Sequence, residues 1–354
     1  MDLPLIFALV AAAAVALYVL ADGFDLGVGI LFVLAPRESD RDIMMESIAP
    51  FWDGNETWLV FGGALLWAAF PIAYYVLLPA FYLPIIIMLI ALITRGVAFE
   101  FRFQAVLFRR VWDFVFAGGS LLAVVAQGLV LGRFIAGVPV ANGVFAGGPF
   151  SSFTVLGLFC AVGLVGGYAL LGAGWLIWKT DGPTQVFGRE VGHSAVILSA
   201  GCMALVSIWT ALTVPEVAER WFRWPWVLPL ALMPLAAAGV AFLIWRMLWG
   251  RHETGPFLLT ILLFLLGFGG LTVSIWPYVV PRVATIWSGA ADPTTLRFVG
   301  VGVLVIVPII LTYLGHAYWV FRGKTLPEGG YGESKIEGHV GRRARASQID
   351  LHLS

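Results

Sequence analysis

Residues 4–34 read PLIFALVAAAAVALYVLADGFDLGVGILFVL, and they decide what kind of fold this chain can form. A helix that crosses a bilayer needs about 20 mostly apolar residues. This run exceeds that length and carries only two charges, Asp22 and Asp25. No basic segment precedes it, since Asp2 is the only early charge, and the apolar run continues far past Ala21. It therefore reads as a retained first helix and not as a cleaved signal peptide.

The same pattern recurs outward from this stretch. Apolar runs at 52–73, 80–101, 113–136, 153–178, 194–214, 226–249, 257–279 and 297–321 predict eight further spans. Composition agrees: 60% of the 354 residues are hydrophobic and 12% are charged, where a soluble domain has about 45–50% and about 25%. Charges this sparse cannot solvate a globule of that size, so lipid is the expected solvent. The connections are short and leave no room for a separate soluble domain. The expected fold is an all-α polytopic membrane protein with nine transmembrane helices. Helices 1 to 4 begin near 4, 52, 80 and 113, and helices 5 to 8 near 153, 194, 226 and 257. The nearly constant offset predicts two like-oriented four-helix units, 1–136 and 153–279, followed by a ninth helix at 297–321. Residues 323–354 are polar throughout, with Gly329-Gly330, Arg342-Arg343 and Arg345, and are expected to form a solvated cytoplasmic tail.

Basic residues orient the bundle. Arg37, Arg41, Arg102, Arg109, Arg110, Lys179, Arg189, Arg246 and Arg251 follow odd-numbered helices. With the six from Arg322 onward they make 15 on one side, against 5 on the other: Arg133, Arg220, Arg223, Arg282 and Arg297. The expectation is an outside N-terminus and a cytoplasmic C-terminus. The formal net charge of zero gives no signal for nucleic acid.

The few intramembrane charges are the informative ones, because each costs about 2.5–3.5 kcal/mol on insertion scales. Asp22 and Asp25 are three residues apart on one helix face, about 27–32 Å from Pro4, in the cytoplasmic third of the span. Helix 2 opens with Trp52-Asp53-Gly54-Asn55-Glu56-Thr57-Trp58, and helix 3 closes with Thr94-Arg95-Gly96-Val97-Ala98-Phe99-Glu100-Phe101-Arg102. Three separate stretches thus bring Asp22, Asp25, Asp53, Glu56, Arg95 and Glu100 to a similar depth on one side. Asp53 and Glu56 also suit a helix cap, and Glu100 and Arg102 suit an interface. The Asp22–Asp25 pair needs a partner, water or a proton. A file of carboxylates with an arginine beside it suits proton uptake from the cytoplasm.

Other residues carry less. Cys160 and Cys202 sit in apolar runs and read as packing residues, with no CxxC spacing for a metal. His193, His252 and His316 lie at or near helix ends, and no His or Met pair has the geometry of haem ligands. The Trp residues read mostly as an interfacial belt. Gly27-Val28-Gly29 lacks the strand–helix setting of a nucleotide loop.

At these residues the sequence resembles subunit II of the cytochrome bd quinol oxidases. The resemblance rests on Ala21-Asp22-Gly23-Phe24-Asp25-Leu26-Gly27-Val28-Gly29, on Ser47 to Leu59 around Trp52-Asp53-Gly54-Asn55-Glu56-Thr57-Trp58, and on Arg95 to Arg102. The wording at Asn55–Trp58 and Gly96–Arg102 is most similar to the cyanide-insensitive branch. Trp276-Pro277 and Val307-Pro308-Ile309-Ile310 extend the likeness over about residues 3–325.

The resemblance implies a heterodimer in the bacterial inner membrane, embedded in lipid. Its larger partner, subunit I, would hold the b- and d-type haems and the quinol site and reduce oxygen to water electrogenically. This chain would bind no haem and contain no catalytic residue. The resemblance also leaves room for a small accessory subunit or a structural quinone. By position it implies a proton path through Asp53 at its entrance, Glu100 beyond it, and the Asp22/Asp25 pair, with Arg95 and Glu56 in support. Some relatives have Asp at the position of Glu100 and Gln at that of Glu56, so Glu100 can still exchange protons while a required role for Glu56 is not implied. Two other classes fit the charges less well: a proton- or cation-coupled transporter, whose site would lie nearer the midplane, and a purely structural assembly subunit.

Overall fold

A computed structural model describes residues 2–325 except 106 and 226. The expected tail therefore lies outside the described residues from 326 onward. The described residues form eleven α-helices: α1 Leu3–Leu31, α2 Glu38–Ile48, α3 Trp52–Ala69, α4 Pro71–Gln104, α5 Arg109–Ala136, α6 Val155–Lys179, α7 Gly182–Thr213, α8 Pro215–Phe222, α9 Val227–Leu248, α10 Gly255–Ile275 and α11 Pro293–Val320. Two short antiparallel hairpins, Val140–Ala141 with Val144–Phe145 and Tyr278–Val280 with Ala284–Thr285, sit in connections.

Among the described residues, eight helices are long and apolar enough to cross a membrane. The fold is an all-α polytopic membrane protein. The expected second span corresponds to α3, which has 18 residues. Asp53, Asn55 and Glu56 in its first two turns keep it outside the apolar set.

Several boundaries differ from the sequence expectation. The expected third span, 80–101, begins at Pro71, because only Phe70 separates α3 from α4. Pro71 at the first helical position is preorganised for a helix start. Pro79 and Pro84 lie inside α4 without ending it, as neighbouring helices allow in a membrane. At 34 residues α4 is about 50 Å long, more than a hydrocarbon core of about 30 Å, so part of it stands clear of lipid. The expected sixth span, 194–214, starts twelve residues earlier at Gly182, through a polar segment that hydropathy passes over. The link at 35–51 contains α2, whose Glu38 and Asp40 complement its N-terminal dipole. It buries Met44, Met45 and Ile48.

Helix α1 is central and touches α3, α5, α6, α10 and α11. Helices α1, α3, α4 and α5 contact one another in a closed ring, and α6, α7, α9 and α10 form a second. The rings meet where α1 and α5 lie against α6. At the α1–α6 crossing Gly27 faces Gly172, and a Cβ on Gly27 would overlap the Tyr168 carbonyl. This close approach holds α1, and hence Asp22 and Asp25, in the middle of the bundle.

Two polar clasps close the end of the bundle toward which Asp22 and Asp25 lie. In the first, fully buried Arg102 of α4 binds Asp113 of α5 through Nε at 2.5 Å and Asp42 of α2 through Nη1 at 2.7 Å. Arg41 also reaches Asp113, at 3.3 Å, and Arg109 binds Glu38 and Asp42 at 2.8 and 2.9 Å. In the second, Lys179 at the end of α6 donates from Nζ to the carbonyls of Phe321 and Gly323, at 2.5 and 3.0 Å. The rings of Phe51, Trp175 and Trp178 lie 5.3–5.7 Å from that ammonium. Lys324 then binds Asp181 and Glu253 at 2.6 and 2.9 Å, and the Thr325 amide donates to the Lys179 carbonyl.

Candidate functional site

Asp22 and Asp25 are both fully buried. Arg95, 1% exposed on α4, donates from Nη1 to Asp22 Oδ1 at 3.2 Å. The Arg95 guanidinium also lies 5.9 Å from the Trp52 ring centroid. Asp25 accepts at Oδ2 from Asn55 Nδ2 of α3 at 2.7 Å, and the same amide reaches the Ala21 carbonyl at 3.2 Å. The Tyr318 hydroxyl of α11 donates to Asn55 Oδ1 at 2.9 Å, which fixes the amide's orientation.

A second polar line ends beside Asp22, at Tyr18. Tyr168 of α6 donates to Gln127 Oε1 of α5 at 2.8 Å, and Gln127 Nε2 donates to the Tyr18 hydroxyl at 2.9 Å. Tyr18 sits one turn before Asp22 on α1, and its hydroxyl lies in the electrostatic field of the Asp22 carboxylate. Asp25 thus has a tyrosine–amide support from α11 and α3, while a tyrosine–amide line from α6 and α5 ends at Tyr18 beside Asp22.

The structure gathers four of the six expected side chains. Asp22, Asp25 and Arg95 form the buried centre. Glu56 is half-buried at its edge, in the electrostatic field of Asp22, Arg95 and Asp53. Asp53 and Glu100 are exposed on the outer surfaces of α3 and α4, and among the described residues neither carboxylate takes a hydrogen bond or ion pair. Helix rotation makes that division: Asn55 turns inward where Asp53 turns out, and Arg95 turns inward where Glu100 turns out. Asn55, Tyr18, Gln127, Tyr168 and Tyr318 were not singled out from the sequence. Gln127 is the one amide in its apolar run and Tyr18 is four residues from Asp22, so both left a trace there. The two tyrosines on α6 and α11 left none.

A buried pair of carboxylates with one cation can hold and exchange a proton, and it is poor in metal ligands. Among the described residues no group of three or more His, Cys, Asp or Glu is arranged to hold a metal ion. His193 is engaged with the Arg189 carbonyl at 2.8 Å and with the Trp249 ring.

Fold and site together define a helical membrane protein with a buried carboxylate–arginine centre close to one end of the bundle. Residues 3–321 match the family Cytochrome bd terminal oxidase subunit II, and the chain belongs to that family. It is 27% identical to cytochrome bd-I ubiquinol oxidase subunit 2 of Escherichia coli, over 88% of this chain and 92% of that protein. It is 30% identical to a probable cytochrome oxidase subunit 2 of Haemophilus influenzae, over 84% and 88%. The fold matches a chain in the structure of bd oxidase from Geobacillus thermodenitrificans with a TM-score of 0.74, at 17% identity, covering 91% of this chain and 99% of that one.

Proposed function

We propose that this chain is the haem-free subunit of a bacterial inner-membrane complex that oxidises quinol and reduces oxygen to water. It braces a haem-bearing subunit I and delivers protons from the cytoplasm, which makes turnover electrogenic. Electrons do not pass through it. The proposed path runs from Asp53 and Glu100 at the surface to Asp22 and Asp25, with Glu56 and Arg95 in support. Membership of the family and the names of its relatives support the oxidase role. The basic-residue bias supports an outside N-terminus and a cytoplasmic C-terminus. The two closed rings of helices support two like-oriented units, 1–136 and 153–279.

One observation carries the proton path. The fully buried Asp22–Arg95 pair and Asp25 lie behind half-buried Glu56, which itself feels exposed Asp53. Acidic groups therefore step from the surface to the centre of the bundle. Burying two carboxylates beside one arginine is costly for a purely structural role, since an apolar replacement would pack as well or better. In the assembled complex, Asp22→Asn or Asp53→Asn should lower oxidase turnover per haem while the haem spectrum persists. Unchanged turnover would refute the path, and loss of the haems would show that the residues brace the fold instead.

A further inference from the structure

We propose that the two buried carboxylates divide the work: Asp25 takes up and releases the proton, while Asp22 is a fixed anion that holds Arg95. The inference rests on the proton-path reading above and deepens it.

Charge balance is the first observation. In the outer clasp three guanidiniums, of Arg41, Arg102 and Arg109, face three carboxylates, of Glu38, Asp42 and Asp113. That set closes as fixed charges. In the inner site one guanidinium, of Arg95, serves two fully buried carboxylates, and half-buried Glu56 adds a third acid at the edge. An uncompensated anion out of water is far more costly than a neutral acid. Counting the two fully buried carboxylates alone, the inner site is one proton short of balance, and that proton is the mobile one.

The placement of the one cation says which carboxylate holds it. Asp22 accepts from the guanidinium at Oδ1, and among the described residues its buried Oδ2, like Asp25 Oδ1, has no protein partner. Arg95 reaches it from α4, and the line Tyr168 to Gln127 to Tyr18 ends one turn away on α1. A carboxylate paired with a guanidinium suits the anion. Asp25 has no cation within hydrogen-bonding distance. It accepts one bond, from Asn55 onto Oδ2, and its buried Oδ1 has no protein partner. Oδ1 is thus free to carry a proton and to pass it to water. The step is acid–base only: the carboxylate gains a proton from the cytoplasmic side and later returns it to water as the partner consumes protons. Titratable or charged groups facing the pair are Asp22 and Tyr18 from α1, Glu56 from α3, Arg95 from α4, Tyr168 from α6 and Tyr318 from α11. Asn55 and Tyr318 act as positioning residues for Asp25.

The test is infrared difference spectroscopy on the intact complex, with turnover per haem measured in parallel. A neutral carboxylic acid shows a carbonyl stretch that differs between Asp and Glu. The expected result is a neutral-acid band that moves in Asp25→Glu and stays in Asp22→Glu. If either variant fails to assemble, Tyr318→Phe and Tyr18→Phe carry the same test without touching a carboxylate. The first should displace the band, through Asn55, and the second should leave it in place. A band that follows Asp22 or Tyr18, or that responds equally to both changes of a pair, would overturn the division of labour even with the path intact. A band that follows Asp25 while Asp25→Asn keeps full turnover would leave the assignment standing and sink the proton-path reading on which it rests.

Discussion

Asp113→Asn should weaken the bundle without changing what the assembled complex does per haem. Asp113 is 5% exposed and meets Arg102 at 2.5 Å and Arg41 at 3.3 Å. Arg102 is fully buried, so removing one carboxylate leaves much of its charge uncompensated. Breaking a buried pair from one side costs about 3–5 kcal/mol. The Arg41 contact is partly exposed, and such pairs contribute about 0–1 kcal/mol. Asp42 stays on Arg102 at 2.7 Å, which places the net cost near the lower bound, about 3 kcal/mol. At about 2–4 °C per kcal/mol for larger chains, the midpoint should fall by about 6–12 °C. The assay is thermal unfolding of the purified complex, with haem absorbance and turnover per haem measured below the transition. A second variant checks the cause. Arg102→Met with Asp113→Leu replaces the pair by apolar side chains and should recover at least half the loss. A midpoint shift under about 2 °C, or a double variant worse than Asp113→Asn, would refute the buried-charge reasoning.

Three further outcomes follow from the same geometry. Lys179→Met keeps the stem among Phe51, Trp175 and Trp178 but removes two charge-assisted bonds to the 321–323 backbone. At about 1.5–3 kcal/mol per bond to a charged group, amide exchange at Thr325 should accelerate at least about tenfold, as mass spectrometry would read. The outer part of this clasp should respond to pH. Hydrogen bonds from Lys324 and Gln185 hold Glu253 below its usual range, and those to Asp181 and Glu253 hold Lys324 above its own. A depressed carboxylate stabilises above its unfolded pKa and loses that as pH falls through its folded value. A raised lysine stabilises below its unfolded pKa and loses that as pH rises through its folded value. Protection of 321–325 should therefore hold between about pH 5 and 10, drop on either side, and weaken with salt because these groups are exposed. Gly27→Val should abolish recovery of the complex, because its Cβ meets backbone at Tyr168 and helix backbone cannot yield as a side chain can.

What the sequence determined by itself is the membrane class, most of the spans and the presence of acid on α1. Those depend on local quantities. A helix in lipid satisfies its own backbone hydrogen bonds, so length and apolarity of one stretch suffice to place it. The same locality explains the misses. Hydropathy follows the lipid-facing part of a helix and is silent where α4 and α7 continue beyond it, or where amphipathic α2 lies in a link.

Only the tertiary structure decided the site. Depth along a helix can be counted from residue numbers, and it put Asp22, Asp25, Asp53, Glu56, Arg95 and Glu100 at one level. Rotation about each helix axis cannot be counted that way, because it is set by packing between helices far apart in sequence. Gly27 against Gly172 fixes the rotation of α1, and the contacts of α3 and α4 fix theirs. Those rotations bring Arg95 to Asp22 across 73 residues and Asn55 to Asp25 across 30, while leaving Asp53 and Glu100 on the surface. They also bring Tyr168 and Tyr318 to the two amides, a pairing that no spacing in the chain encodes.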